Sequence, residues 1–217
     1  MGNTVGSPSA SFYNFPFTTE DYYILGLWCA DGYHWSSSIG LSNIDIGLIE
    51  KFKQFLKELF PPERIKLHIY TTGKRTHPGY KLYVNSRPLL RIFKKFKEDQ
   101  QRSIAENKNI SAYFAGRFDG DGCISKDLLR DCRISYGTQE DALLDYQLLK
   151  KLGFTMTKLY RYRTSNTYVI YISTFESEKF VSLLHSHSLK LQKLALGPRR
   201  DSSRDLLEGP IATQNQL

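Results

Sequence analysis

Ser111-Ala112-Tyr113-Phe114-Ala115-Gly116-Arg117-Phe118-Asp119-Gly120-Asp121-Gly122 is an apolar, small-residue run that ends in acids and glycines. It predicts a helix running straight into a glycine-broken acidic end. The same shape occurs earlier, as Ile24-Leu25-Gly26-Leu27-Trp28-Cys29-Ala30-Asp31-Gly32. Aligned on their ends, Ile24–Gly32 and Phe114–Gly122 share Gly at the third place, Asp at the eighth and Gly at the ninth. The residues after each copy also match in kind, so the chain is read as an internal duplication.

Gly26 and Ala115-Gly116 leave room for a second helix to approach closely. Gly32 and Gly122 are expected to take positive φ and stop the helices. Asp31 and Asp121 then stand at helix C-termini, where the dipole is negative and a carboxylate gains nothing without a cation. If the two helices pack together, both carboxylates meet at one end near a pseudo-two-fold axis. The carbonyls of Ala30 and Gly120 point the same way. Such a hard-oxygen set suits Mg²⁺.

Two plainer readings compete. Asp119-Gly120-Asp121-Gly122-Cys123-Ile124 resembles part of an EF-hand loop, but Arg117 and Leu128 then stand where Asp and a bidentate Glu are needed. The first copy also has Cys29 where that loop wants an acid. A helix-turn with a solvated Asp would explain one copy, and the duplication argues against it.

The two segments resemble the paired signature motifs of the LAGLIDADG homing endonucleases. Asp31 and Asp121 match the catalytic acid of the nine-letter pattern. Leu25, Cys29, Arg117 and Gly120 depart from it, none at that acid. The resemblance runs from about Glu20 to about Leu196.

Length and charge agree with it. The 217 residues can form one large domain or two smaller ones, with 41% hydrophobic content for a core. Thirty basic against 22 acidic residues give +8 and a pI near 9.3, which points to a polyanionic partner. There is no long apolar run for a membrane span, and Met1–Ser11 has no secretory pattern. Gly6 stands where a myristoylation motif wants Ser or Thr. Cys29, Cys123 and Cys132 are too scattered for a disulfide framework or a zinc site, so a reducing, intracellular setting is expected.

Along the chain, 1–17 reads as a loose arm, 18–97 as the first half, 98–110 as a linker, 111–196 as the second half and 197–217 as a disordered tail. Thr19 or Asp21 is expected to cap the first motif helix. Tyr33–Ser36 and Ser38–Asn43 read as a hairpin with Ser38 and Ser42 on its polar face. Asp45 starts a helix ended by Pro61-Pro62. Arg64-Ile65-Lys66-Leu67-His68-Ile69-Tyr70 alternates polar and apolar residues, predicting a strand with one core face. Tyr80–Asn85 is its partner, with Leu82 and Val84 inward and Lys81 and Tyr83 outward. The turn between them adds Lys74, Arg75 and His77. A solvated sheet face would mix charge signs; this one carries Arg64, Lys66, His68 and Lys81 with no acid, which favours nucleic-acid contact. Arg87–Lys97 is a basic helix.

The second half repeats the plan: strands Cys123–Leu128 and Cys132–Gly137, a helix from Glu140 to Leu152, a hairpin of Thr155–Arg163 with Thr167–Thr174, and one helix from Ser177 to Leu196. Arg133 and Ser135 are placed on the contact face. Tyr168, Ile170 and Ile172 are assigned to the core and Tyr171 to the contact face. Tyr160 and Tyr162 could serve as core or contact, and Arg161 and Arg163 are chosen as the outward pair.

The order in each half predicts an α+β fold of duplicated αββαββα units with two antiparallel four-stranded sheets, helices on one face of each. The resemblance implies that these sheets form a saddle on double-stranded DNA, with the motif helices at the interface. It implies metal-assisted hydrolysis by Asp31 and Asp121, with Mg²⁺ (Mn²⁺ as substitute) and a staggered double-strand break. It further implies a polar residue ending the second strand of each half, matched to Asn43 and Gln139. It implies a lysine near the pocket, Lys190 or Lys193 in the second half and Lys94, Lys95 or Lys97 in the first. Two motifs in one chain imply a monomer. The alternative is an intron-splicing maturase, with intron RNA as partner, or a cleavage-deficient DNA binder.

Overall fold

The computed structural model describes residues 18–71, 78–98, 104, 107–125 and 132–196. The arm, most of the linker, the tail, and Lys74, Arg75 and His77 lie outside the described residues. The first half runs α1 (Thr19–Asp31), β1 (Gly32–Trp35), β2 (Ser38–Asn43), α2 (Ile46–Leu59), β3 (Lys66–Tyr70), β4 (Gly79–Asn85) and α3 (Arg87–Glu98). The second runs α4 (Asn107–Asp121), β5 (Gly122–Ile124), β6 (Cys132–Tyr136), α5 (Gln139–Lys151), β7 (Lys158–Tyr162), β8 (Thr167–Ile172), α6 (Thr174–His185) and α7 (Leu189–Leu196). Each half forms an antiparallel four-stranded sheet, in the orders β1-β2-β4-β3 and β5-β6-β8-β7. The architecture is the duplicated α+β plan read from the sequence.

Thr18 caps α1: its hydroxyl accepts from the Asp21 amide, and the Asp21 carboxylate accepts from the Thr18 amide at 2.7 Å. The cap is thus one residue earlier than Thr19, and Asp21 is its reciprocal partner. α1 is buried from Asp21 through Cys29, because it lies between its own half and α4. Gly26 and Gly116 make that packing possible. A Cβ on Gly26 would stand 1.9 Å from the Tyr113 carbonyl oxygen, and one on Gly116 would stand 2.0 Å from that of Tyr23. The two contacts are equivalent across the pseudo-two-fold.

The expected positive φ at Gly32 is not used, since φ is −69° there. Glycine is needed for space: a Cβ would lie 2.2 Å from the Trp28 carbonyl oxygen at position 32 and 2.4 Å from that of Phe118 at position 122. Among the described glycines, Gly153 alone takes positive φ, at +80°, where it ends α5 as expected.

Ile39, Leu41, Leu82 and Val84 face the helices and are fully buried, with Phe52, Phe55 and Phe93 packed below them. Each such side chain contributes about 1.5–3 kcal/mol. Leu67 pairs with Leu82 on the same face, yet Leu67 is 42% and Ile69 58% exposed. The expected core face of β3 is therefore largely uncovered, because β3 is the edge strand and projects past the helices. Arg64 is not in the strand. Pro61-Pro62 begins a 3-10 turn that takes in Arg64, whose guanidinium stacks on Phe60 and donates to the Asn85 carbonyl at 2.8 Å.

Two further expectations change in the second half. Arg161 pairs with Tyr168, on the face shared by Ile170 and Ile172, whereas Tyr160 pairs with Val169 and Tyr162 with Thr167 on the opposite face. The outward pair is therefore Tyr160 and Tyr162, and Arg163 lies in the turn. The single final helix is instead two, α6 and α7, broken at Ser186–Ser188. Asp119 causes the break. Its carboxylate accepts from the Ser188 hydroxyl, from the Leu189 amide at 2.7 Å and from the Lys190 amide at 3.2 Å, so it caps α7 from another helix.

Candidate active site and nucleic-acid interface

Asp31 and Asp121 are the last residues of α1 and α4, and neither helix has a basic residue in its last turn. Close packing of the helices brings the two ends together. Gly120 allows the last step, since a Cβ there would lie 2.4 Å from the Ala30 Cβ and 2.6 Å from Asp31 Oδ2. Burial raises the Asp31 carboxyl above its ordinary range, against the pull of Asn43, Lys190 and Arg117. Asp121 is pushed up to about 6 by burial, with Asp31 adding to the rise and Arg117 opposing it. Two half-buried carboxylates that repel each other form a site waiting for positive charge.

Asn43 ends β2 and donates to Asp31 Oδ2 at 2.7 Å. Its own carbonyl oxygen accepts from the Asp45 amide, which fixes the amide's orientation. Gln139 is not its counterpart. Gly32 pairs with Leu41 and Gly122 with Ile134, so Asn43 corresponds to Tyr136; Gln139 lies in the exposed first turn of α5. Lys190 is folded into the site. Its ammonium donates to the carbonyls of Gly122 at 2.7 Å and Phe118 at 3.0 Å. Burial lowers its pKa while Asp119, Asp31 and Asp121 hold it up. Lys193 instead crosses to the first half and pairs with Asp45 at 2.7 Å. In the other direction Lys97 pairs with Asp141 at 2.9 Å. Both lysines tie one half to the other.

Among the described residues no cluster of three or more His, Cys, Asp or Glu side chains could hold a metal ion. The protein donors are then the two carboxylates and the helix-end carbonyls expected from Ala30 and Gly120. All are hard oxygens, which fits Mg²⁺, a cation that keeps several waters and takes phosphate oxygens as ligands.

Among the described residues, none of the eight strands contains Asp or Glu. On the first sheet the face away from the helices presents Lys66, His68, Lys81 and Tyr83, in register across β3 and β4. Tyr70 lies over Gly79, within 3.3 Å of the Ser42 hydroxyl. Ser38 is buried and its hydroxyl is bonded to the Trp35 backbone, so it shapes the β1–β2 turn. On the second sheet Arg133, Ser135 and Tyr171 share the outer face, with Arg133 donating to the Tyr171 hydroxyl at 3.0 Å. Tyr160 packs edge-on against Tyr171, with ring centres 5.6 Å apart. Alternation alone left these tyrosines undecided; Leu159, opposite the buried Ile170, is the residue that settles the face.

The LAGLIDADG-like domain family matches over residues 18–97. Among solved structures, I-DmoI in complex with DNA and Mn is 19% identical with a TM-score of 0.60, over 77% of this chain and 97% of that one. I-WcaI bound to its DNA recognition sequence is 13% identical with a TM-score of 0.58, over 89% and 96%. Full-length DUF199/WhiA from Thermatoga maritima is 18% identical with a TM-score of 0.58, over 85% and 62%. I-DmoI has also been solved in complex with DNA and Ca, and a variant of it with its target DNA in the presence of Mg. No curated protein matches the sequence. The fold is that of the LAGLIDADG homing endonucleases, in its two-domain form.

Proposed function

We propose that the protein is a site-specific endonuclease that makes a staggered double-strand break in a long duplex DNA target by divalent-metal-dependent phosphodiester hydrolysis. The observation carrying this reading is the convergence of Asp31 and Asp121 at the ends of two glycine-packed helices, between two sheets free of acids. Phosphate contacts by the basic residues supply affinity, and outward strand side chains read base edges in the major groove. A bound divalent ion, Mg²⁺ or Mn²⁺, would supply water activation and stabilisation of the leaving oxygen.

The chain's own residues divide the remaining work. Asp31 and Asp121 present carboxylate oxygens at the two strands, one from each half. Asn43 fixes the rotamer of Asp31. Lys190 neutralises the carbonyls that end α4 and keeps a cation beside both acids. The protein acts as a monomer, because one chain already carries both halves of the site. Among the described residues Cys29, Cys123 and Cys132 form no disulfide, which agrees with an intracellular setting.

Exposed Tyr160 and Tyr162 favour a second reading, as an intron-RNA or DNA binder without cleavage, since tyrosine faces stack on unpaired bases. Incubation of a host-genome or randomised duplex library with Mg²⁺ separates the two. Staggered cuts at one long site are expected; binding without any cut, in Mg²⁺ or Mn²⁺, would overturn the endonuclease reading.

A further inference from the structure

One break in the duplication couples two buried positions. In the first half, Leu27 lies four residues before Asp31, and Phe52 lies on α2 seven residues after its cap Asp45. Both are fully buried in the apolar core. The matching positions of the second half, counted from Asp121 and from the α5 cap Thr138, are Arg117 and Asp145. They are 2% and 1% exposed, and Arg117 Nε donates to Asp145 Oδ2 at 3.1 Å. A buried ion pair thus stands where the first half has two apolar side chains.

Two contacts fix this guanidinium, and a third fixes its partner Asp145. Asp145 holds Nε, and the Tyr113 hydroxyl holds the other Asp145 oxygen at 2.8 Å. The Tyr136 ring lies against the guanidinium face, 4.5 Å away. One terminal nitrogen then lies 3.7 Å from Asp121 Oδ2, an ion pair reaching the motif acid from inside the protein. Asp31 receives its orienting contact differently, from the neutral amide of Asn43 at 2.7 Å. The second half cannot copy that contact, because Tyr136 occupies the place of Asn43.

We infer that Arg117, held by Asp145, is the positioning residue for Asp121, doing for that acid what Asn43 does for Asp31, so that the two strand-cutting half-sites are orientated by different chemistry. A buried ion pair is weak grounds for stability, since an apolar pair of similar bulk is often as good. At 3.7 Å the Arg117–Asp121 contact is an ion pair and not a hydrogen bond, so Arg117 acts by placing a fixed positive charge beside that acid. The inference rests on the endonuclease reading for its consequence, that each strand's rate can be altered separately.

The test gives the second half the first half's residues, Arg117→Leu with Asp145→Phe, which removes the buried Arg117–Asp145 pair as a unit. Strand-resolved cleavage of the end-labelled target should show one strand slowed by about 10–100-fold, the size usual for loss of an orienting contact to a metal ligand. The other strand serves as internal control and should keep its rate. Unchanged rates on both strands, or equal slowing of both as a folding or binding defect would give, would overturn the inference. A second measurement needs no cleavage. With Asp31→Asn in place, Asp121 is the remaining motif acid. Mn²⁺ binding read by electron paramagnetic resonance should weaken about 10–100-fold when the double change is added. Equal binding, or no saturable binding even with Arg117 present, contradicts it. Arg117-dependent Mn²⁺ binding in a protein that cuts neither strand would refute the endonuclease reading and leave this inference standing.

Discussion

Asp121 carries a cost that its partners do not remove. Its carboxyl is pushed up to about 6 from 3.8, chiefly by burial. The folded protein therefore holds a proton more tightly than the unfolded chain between about pH 4 and pH 6. Stability from this group is fully present below the unfolded value and is lost as pH rises through the folded one. Asp121→Asn should accordingly raise the melting temperature of the metal-free protein at pH 7.5, by about 2–4 °C if the gain is about 1 kcal/mol. Calorimetry at pH 4 should show no such gain. Cleavage should fall as pH drops below about 6, because a protonated carboxyl is a poor ligand. Asn43→Ala removes the contact that orients Asp31. It should reduce the cleavage rate by about 10–100-fold with little change in DNA affinity, as filter binding beside single-turnover kinetics would show. The two motif acids were legible in the sequence because glycine, acid and spacing recur together. The partner of Asp121 was not: Arg117 stands where the motif wants an apolar residue, and Asp145 comes from another helix.

At the level of elements, the motif helices decide the assembly. Gly26→Ala or Gly116→Ala would drive a methyl into a backbone carbonyl, which cannot swing aside like a side chain. Either change should destabilise the protein by about 1–3 kcal/mol or more, readable as a lower urea midpoint. The αββαββα order of each half was readable from periodicity, because α2 and α3 carry apolar residues at helical spacing and β4 alternates Leu82 and Val84 with Lys81 and Tyr83. Three details were hidden. The second strand of the second half ends at Tyr136, so no polar side chain stands at the place of Asn43, and Gln139, matched to it as the polar residue after that strand, already belongs to α5. Pro61-Pro62 drew Arg64 into a turn that strand alternation could not show. Asp119 breaks the last helix at Ser188 from a distance in sequence, a contact that no local pattern reports.

Across the whole molecule, the outer faces of the two acid-free sheets are basic and aromatic, and they are unlike. The first presents lysines and His68; the second presents Arg133 among tyrosines. Lys66→Ala and Lys81→Ala should each lower the slope of log K against log salt by about 1 if the lysine neutralises one phosphate. Titrations at several salt concentrations measure this, and an unchanged slope would move that lysine from phosphate contact to base readout. The central claim is that the halves share one cutting site with an acid from each. Its most direct test compares the unaltered protein with Asp31→Asn and Asp121→Asn on the same end-labelled target in Mg²⁺. The unaltered protein should make a staggered double-strand break, neither variant should, and both variants should still bind. A double-strand break by either variant would contradict it.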